Sequence, residues 1–344
     1  MKISAASVAG ALLKYIIPPV VTVGLCWMLF RNIDLSEMLG VVSRDCAVGW
    51  LLGSLALNIA AQVARAVRWR IQLKALGVNP SLWLTTLSIF GTYAVNLIFP
   101  RLGELWRTGF IAKRQDAPFS SIFGSMVADR LTDTICVGLL TLLASLLAGP
   151  QVKAYLMQDP DRWERIMAIA GSPWLWAAIS ACVAGGILIL IRTRHRGGIA
   201  GHVRKFVAGL WEGFAVIRTM PGRGRWLLMT TLIWGAYFFG LGCALFAFPL
   251  TAEVLVHGGL TALLVCFVLS SLSMAVPSNG GIGPYQWALM WALSLYASSV
   301  DGLTRTYTAI VANTIMGAST IMLILLGILT FGWIAFNPSS KPKK

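Results

Sequence analysis

Charge is scarce in this chain. Only 12% of its 344 residues are Asp, Glu, Lys or Arg, whereas a soluble domain carries about 25%. Acids are the scarcer sign, 13 against 28 Lys and Arg, which leaves a formal net charge of +15. Histidine is rarer still: His195, His202 and His257 form no HExxH, and two of them sit in a basic stretch. The six cysteines (Cys26, Cys46, Cys136, Cys182, Cys243, Cys266) are scattered singly, without a CxxC or an even-spaced framework. Neither a metal site nor a disulfide is implied, and no cofactor is expected. There is no aromatic-basic motif to make nucleic acid a partner. In a chain of this composition a positive balance reflects cytoplasmic loops and anionic lipid headgroups.

What the chain has instead is apolar length. It is 57% hydrophobic, with a mean hydropathy of +0.75. Apolar segments fall at 11–30, 46–64, 81–99, 121–148, 174–191, 226–248, 258–276, 285–300 and 306–334. Membrane helices need about 20 continuous apolar residues, whereas barrel strands alternate over about 10. The fold class expected is an all-α polytopic integral membrane protein, a single membrane domain over residues 1–344. The run Ala11–Phe30 reads as a retained first helix, because it is long, contains Pro18-Pro19 and precedes no small-x-small cleavage site. No soluble catalytic domain is expected, and the protein is not read as an enzyme.

Loop charge sets the orientation. Residues 65–74 hold Arg65, Arg68, Arg70 and Lys74 without an acid, residues 192–225 hold eight Lys and Arg against Glu212, and the tail ends in Lys341, Lys343 and Lys344. These stretches are expected in the cytoplasm, with both termini, and the near-neutral stretches 31–45, 149–173, 249–257 and 301–305 outside. Simple alternation of spans then misplaces the later basic loop. Two hairpins restore it: 81–112, turning near Pro100, and 258–300, turning at PSNGGIGP over 277–284. Proline lacks the backbone donor and glycine leaves a helix easily. The expected architecture is about six spanning helices plus two broken hairpins, with residues 11–148 as a first repeat and 174–334 as a second of inverted topology. Within the basic loop, the apolar spacing from Ile199 to Ile217 suits an amphipathic helix on the inner leaflet.

Four polar clusters interrupt the apolar background. Arg65 and Arg68 close the second segment, where positive-inside anchoring is the favoured reading of the pair alone. Arg101, Glu104 and Arg107 follow Asn96 and Pro100 at three-residue spacing, which on a helix makes one polar stripe or an internal salt bridge. Asp129 and Asp133 stand at i, i+4 with Arg130 between them. Acids inside a membrane need a cation, for which Arg130 or an arginine of the first hairpin is the natural partner. Gly280, Gly281 and Gly283 precede Pro284 and Gln286, a helix start whose free N–H groups suit an anion. Several guanidiniums match phosphate in bidentate fashion. An anionic membrane lipid is the expected partner.

RAVRW (65–69), N-x3-P-R-x-G-E-x2-R (Asn96 to Arg107), D-R-L-x-D (Asp129 to Asp133) and P-x2-G-G-I-G (Pro277 to Gly283) resemble, in order and spacing, the flippase-like membrane region of lysylphosphatidylglycerol synthases. The resemblance covers nearly the whole chain. It implies a multi-pass protein of the cytoplasmic (inner) membrane that moves lipids or lipid-linked headgroups across the bilayer. The family often carries Glu where this chain has Asp129, and Glu again where it has Gln286. A proton or an arginine held by that second acid in relatives finds no carboxylate here. Lysyl transfer is not expected without the aminoacyl-transferring domain. The leading expectation is a lipid translocator with the headgroup among Arg101, Arg107 and Arg130. The alternatives are a membrane enzyme using Glu104 or Asp133 as general base on a lipid-linked substrate, a small-solute transporter, or a scaffold.

Overall fold

Lipid offers a peptide backbone no hydrogen-bond partner, so a chain this apolar must satisfy its N–H and C=O groups internally, by helices or a closed barrel. A computed structural model describes residues 35–157, 220–276 and 278–337, with isolated positions between 168 and 180. The regular elements among them are helical throughout. In order they are α1 (Leu35–Asp45), α2 (Val48–Ala75), α3 (Leu82–Ile98), α4 (Gly103–Gln115), α5 (Phe119–Met157), α6 (Arg223–Phe246), α7 (Pro249–Ser273), α8 (Pro284–Ser294), a 3-10 turn (Ala297–Ser299) and α9 (Arg305–Phe336).

Among the described residues five helices are long and apolar enough to cross a membrane: α2, α5 over Phe119–Gly149, α6, α7 and α9. The shortest, α6, has 24 residues. At about 1.5 Å per residue that is roughly 36 Å, more than the roughly 30 Å of hydrocarbon in a bilayer. Their outward faces are apolar: Leu142 and Leu146 on α5 and Ile324, Leu325 and Ile328 on α9 are all exposed. In water such a belt would be an association patch; against lipid it is the ordinary surface. The chain is an all-α polytopic membrane protein.

Local chemistry sets several ends. Ser81 and Thr304 cap α3 and α9, their hydroxyls accepting from the N–H groups of Leu84 and Tyr307 at 3.1 Å each. Pro249 opens α7 and Pro284 opens α8, where a missing N–H is harmless. The long α2 and α6 pack side by side, α7 lies against α5, α6 and α8, and α9 against α3 and α8. One apolar core fills the α6–α9 side around Phe248, Phe267 and Ile310; a second fills the α2–α5 side around Trp69, Ile89 and Ile122.

Both interruptions fall where proline and glycine placed them, and they touch. The first runs from Phe99 to Leu102, where Arg101 takes a left-handed φ of 61° and the Asn96 side chain accepts the Gly103 N–H at 2.8 Å. The second carries Gly280, Gly281 and Gly283 at φ of 62°, 84° and 94°. Gly280 N–H donates to the Asn96 carbonyl at 3.1 Å. The Asn279 amide donates to the carbonyls of Leu97 and Ile98 at 3.2 and 3.3 Å, and Arg101 donates to Ala275 O at 2.7 Å.

Several expectations are corrected. Residues 65–74 are not a loop but the last turns of α2, which runs 28 residues to Ala75. Residues 249–257 are helical too: Thr251, Glu253 and His257 dilute the hydropathy, yet α7 starts at Pro249 and breaks only at Gly259, with φ 59° and ψ −153°. The stretch 31–45 contains α1. Arg101 lies outside α4, which begins at Gly103, so it shares no helical stripe with Glu104 and Arg107. The segment 11–30, nearly all of 174–191, the amphipathic stretch 199–217 and the terminal lysines lie outside the described residues.

Candidate anion-binding site

Three helices bring seven charged side chains together. α2 supplies Arg65 and Arg68, α4 supplies Glu104 and Arg107, and α5 supplies Asp129, Arg130 and Asp133. α6 adds the hydroxyl of Thr230, 3.5 Å from Arg68. The i, i+4 pair Asp129 and Asp133 presents two carboxylates on one face of α5. Arg68 answers both: its Nε and NH2 reach Asp129 Oδ1 at 2.9 and 2.7 Å, and NH2 reaches Asp133 Oδ1 at 2.8 Å. Arg65 bonds Asp133 and stands 3.9 Å from Asp129 Oδ2. Arg130 pairs with Glu104 at 3.1 Å and lies 3.9 Å from Asp133.

Arg107 is the exception. Its guanidinium carbon lies 4.4 Å from the centre of the Trp69 ring, and NH2 is 3.5 Å from Asp129 Oδ2. The Trp69 N–H donates to Ser125 Oγ at 3.1 Å, which fixes the ring beneath the cation. Arg107 is fully buried, yet its Nε and NH1 have no hydrogen-bond partner among the described residues, and neither has Glu104 Oε2. Buried polar atoms in such a state are costly unless something binds them.

Four guanidiniums therefore face three carboxylates, one positive charge in excess. Side-chain exposure gives the cluster a direction. Arg68, Arg107 and Asp129 are 0% exposed, whereas Glu104 is 21% and Arg130 34% exposed. The closed end sets three guanidiniums against two carboxylates and so holds the excess charge, and the open end is a salt bridge that can be parted. Tyr93 and Tyr237, whose hydroxyls are 3.5 Å apart, bridge α3 and α6. Among the described residues no group of His, Cys, Asp and Glu side chains is arranged to hold a metal ion.

The structure divides the expected site residues in two. Arg65, Arg68, Glu104, Arg107, Asp129, Arg130 and Asp133 form the cluster. Asn96, Arg101, Gly280, Gly281, Gly283 and Gln286 belong to the junction of the two breaks. Arg101 donates to Ala275 O at the junction and makes no ion pair with the acids of the cluster. Two donors expected to face an anion are already committed: Gly280 N–H to Asn96 O, and Gly283 N–H to Gln286 Oε1 at 2.7 Å. The Gln286 amide in turn faces Asn313 Oδ1 at 3.4 Å. Arg65 and Arg68, favoured from sequence as anchors at the water, are the main partners of the two aspartates. Neither Glu104–Arg107 nor Arg101–Glu104 pairs. No sequence signal distinguishes Thr230, Ser125 and the two tyrosines from other polar residues of apolar helices.

No solved structure matches the chain. Among curated proteins, the glycosyltransferase AglD of Haloferax volcanii is 27% identical over 106 residues, a stretch covering 30% of this chain and 17% of that protein. Residues 15–327 match the family described as the lysylphosphatidylglycerol synthase TM region, which covers nearly the whole chain, including every motif of the charged cluster. The chain belongs to that family.

Proposed function

We propose that the protein is a lipid translocator, moving an anionic lipid or lipid-linked headgroup across the cytoplasmic membrane. The observation that carries this reading is Arg107: a buried guanidinium with two unpartnered nitrogens, in a cluster with one positive charge in excess, inside an apolar body. A phosphate reaching Arg107 would enter past the exposed Arg130–Glu104 pair and leave its acyl chains in the bilayer. The two hairpins are read as equivalent parts of an inverted repeat, rocking against the remaining helices to expose the site on alternate sides. Their contacts through Asn96, Asn279 and Arg101 favour movement as a coupled pair.

The loop charges favour both termini in the cytoplasm. With the six native cysteines replaced by serine, a cysteine at Asp116 should react with a membrane-impermeant thiol reagent only from the cytoplasmic side, and one at Gly302 only from outside. Reaction of both from one side would overturn this orientation.

The second reading, an enzyme acting on a lipid-linked substrate, draws on the glycosyltransferase name of the Haloferax relative. Asp133 is a poor general base, because Arg65 and Arg68 hold its oxygens. Liposomes carrying a headgroup-labelled anionic lipid separate the two. A translocator moves the label between leaflets and returns it chemically unchanged. A new labelled product without movement would favour the enzyme.

A further inference from the structure

A second basic site lies outside the central cluster, on the opposite face of α2. At about 100° per residue, Arg65, Arg68, Trp69 and Gln72 share one side of that helix; all four are buried. Val67, Arg70, Ile71 and Lys74 share the other. These four, with Arg225, Leu228 and Met229 of α6, line a cavity of about 260 Å³. A liquid water occupies about 30 Å³, so the cavity has room for a phosphoglycerol headgroup.

The lining is amphipathic along its length. Arg70, Lys74 and Arg225 place three cations at the end where α2 finishes and α6 begins, while Val67, Ile71, Leu228 and Met229 supply an apolar floor. Neither α2 nor α6 contains a single Asp or Glu, so neither helix supplies these cations with a counter-charge. Arg70 is held in place through Nε, which donates to the Pro80 carbonyl at 2.7 Å. Lys74, Arg225 and Leu228 are exposed. The cations face away from the carboxylates that neutralise Arg65 and Arg68.

We infer that the groove between the C-terminal end of α2 and the N-terminal end of α6 binds an anionic membrane phospholipid, with its phosphate among Arg70, Lys74 and Arg225 and an acyl chain along Val67, Ile71, Leu228 and Met229. Charge complementarity selects an anionic headgroup, and the apolar floor selects a lipid over free phosphate. Basic pockets between membrane helices take acidic lipids by this chemistry. The site holds a resident lipid, separate from cargo in the cluster, and clamps α2 to α6.

The test is photolabelling with diazirine-bearing phosphatidylglycerol or phosphatidylcholine in nanodiscs, with adducts mapped to Leu228 and Met229, which line the groove. Phosphatidylglycerol should label these residues and phosphatidylcholine only weakly. Removing two interfacial cations in Lys74→Gln/Arg225→Gln should reduce the labelling about thirtyfold. Arg44→Gln/Lys113→Gln, which removes the same charge at exposed positions elsewhere, should not. Equal labelling by the two lipids, equal loss in both variants, or no loss in either would overturn the proposal.

Discussion

Asp129→Ala is expected to destabilise the protein by about 3–5 kcal/mol, the range for stripping one partner from a buried charge network. Asp129 is fully buried, accepts from Arg68 at 2.7 Å and stands 3.5 Å from Arg107. Without its carboxylate, Arg68 keeps Asp133, Thr230 and the backbone carbonyl of residue 129, Arg107 keeps the Trp69 ring, and the charge in excess rises from one to two. Thermal unfolding in detergent, followed by tryptophan fluorescence and by the monodisperse fraction on size exclusion, reads the loss. The double variant Arg68→Met/Asp129→Leu returns the excess to one and replaces a buried pair by apolar volume, an exchange often neutral for stability. It should recover much of the lost stability. If Asp129→Ala melts with the wild type, the network is not a structural element.

The second large effect is expected at Gly103, the first residue of α4. A Cβ there would lie 2.1 Å from the Thr92 carbonyl oxygen and 2.8 Å from Asn96 Oδ1. The nearest obstacle is backbone and cannot swing aside. Gly103→Ala must therefore pry α4 from α3, lose the Gly103–Asn96 bond and disturb the junction that Asn96 makes with Gly280. The cost should exceed about 3 kcal/mol, above the usual overpacking range. Gly91→Ala is a milder case, since its nearest obstacles, at 2.2 and 2.3 Å, are the ring tip of Trp106. Gly109→Ala, on α4 with nothing within 4 Å, should be neutral or stabilising by up to about 1 kcal/mol. The melting temperatures of the three variants check the order. Gly103→Ala indistinguishable from Gly109→Ala would contradict the close packing of the first hairpin.

Much of the architecture was readable because its signals are local. Continuous apolar length marks the spans, and Pro100 and the glycines before Pro284 mark the breaks, since their backbone chemistry acts wherever they stand. The central site was only half readable, because its chemistry is pairwise across helices. Nothing beside Arg65 or Arg68 distinguishes an arginine anchored at the headgroups from one paired with Asp133, 68 and 65 residues away. The spacing of Arg101, Glu104 and Arg107 suggested a stripe, but a left-handed residue just before α4 turns Arg101 elsewhere. Glu253 and His257 made a helix look like a loop, since an average over hydropathy does not register a proline at N1. The resemblance to the flippase-like region gathered the right segments without saying which side chains meet.

The central claim is that the buried guanidinium of Arg107 receives an anionic headgroup in transit. The most direct measurement is the rate at which a headgroup-labelled anionic lipid crosses between leaflets in proteoliposomes, for the wild type and for Arg107→Gln, each verified as folded by its melting curve. Charge-assisted contacts contribute roughly 1.5–3 kcal/mol each, so the variant should be at least about tenfold slower. Its folding should survive, because neutralising Arg107 leaves three guanidiniums balanced against three carboxylates. A folded Arg107→Gln protein that moves the lipid at the wild-type rate would contradict the account.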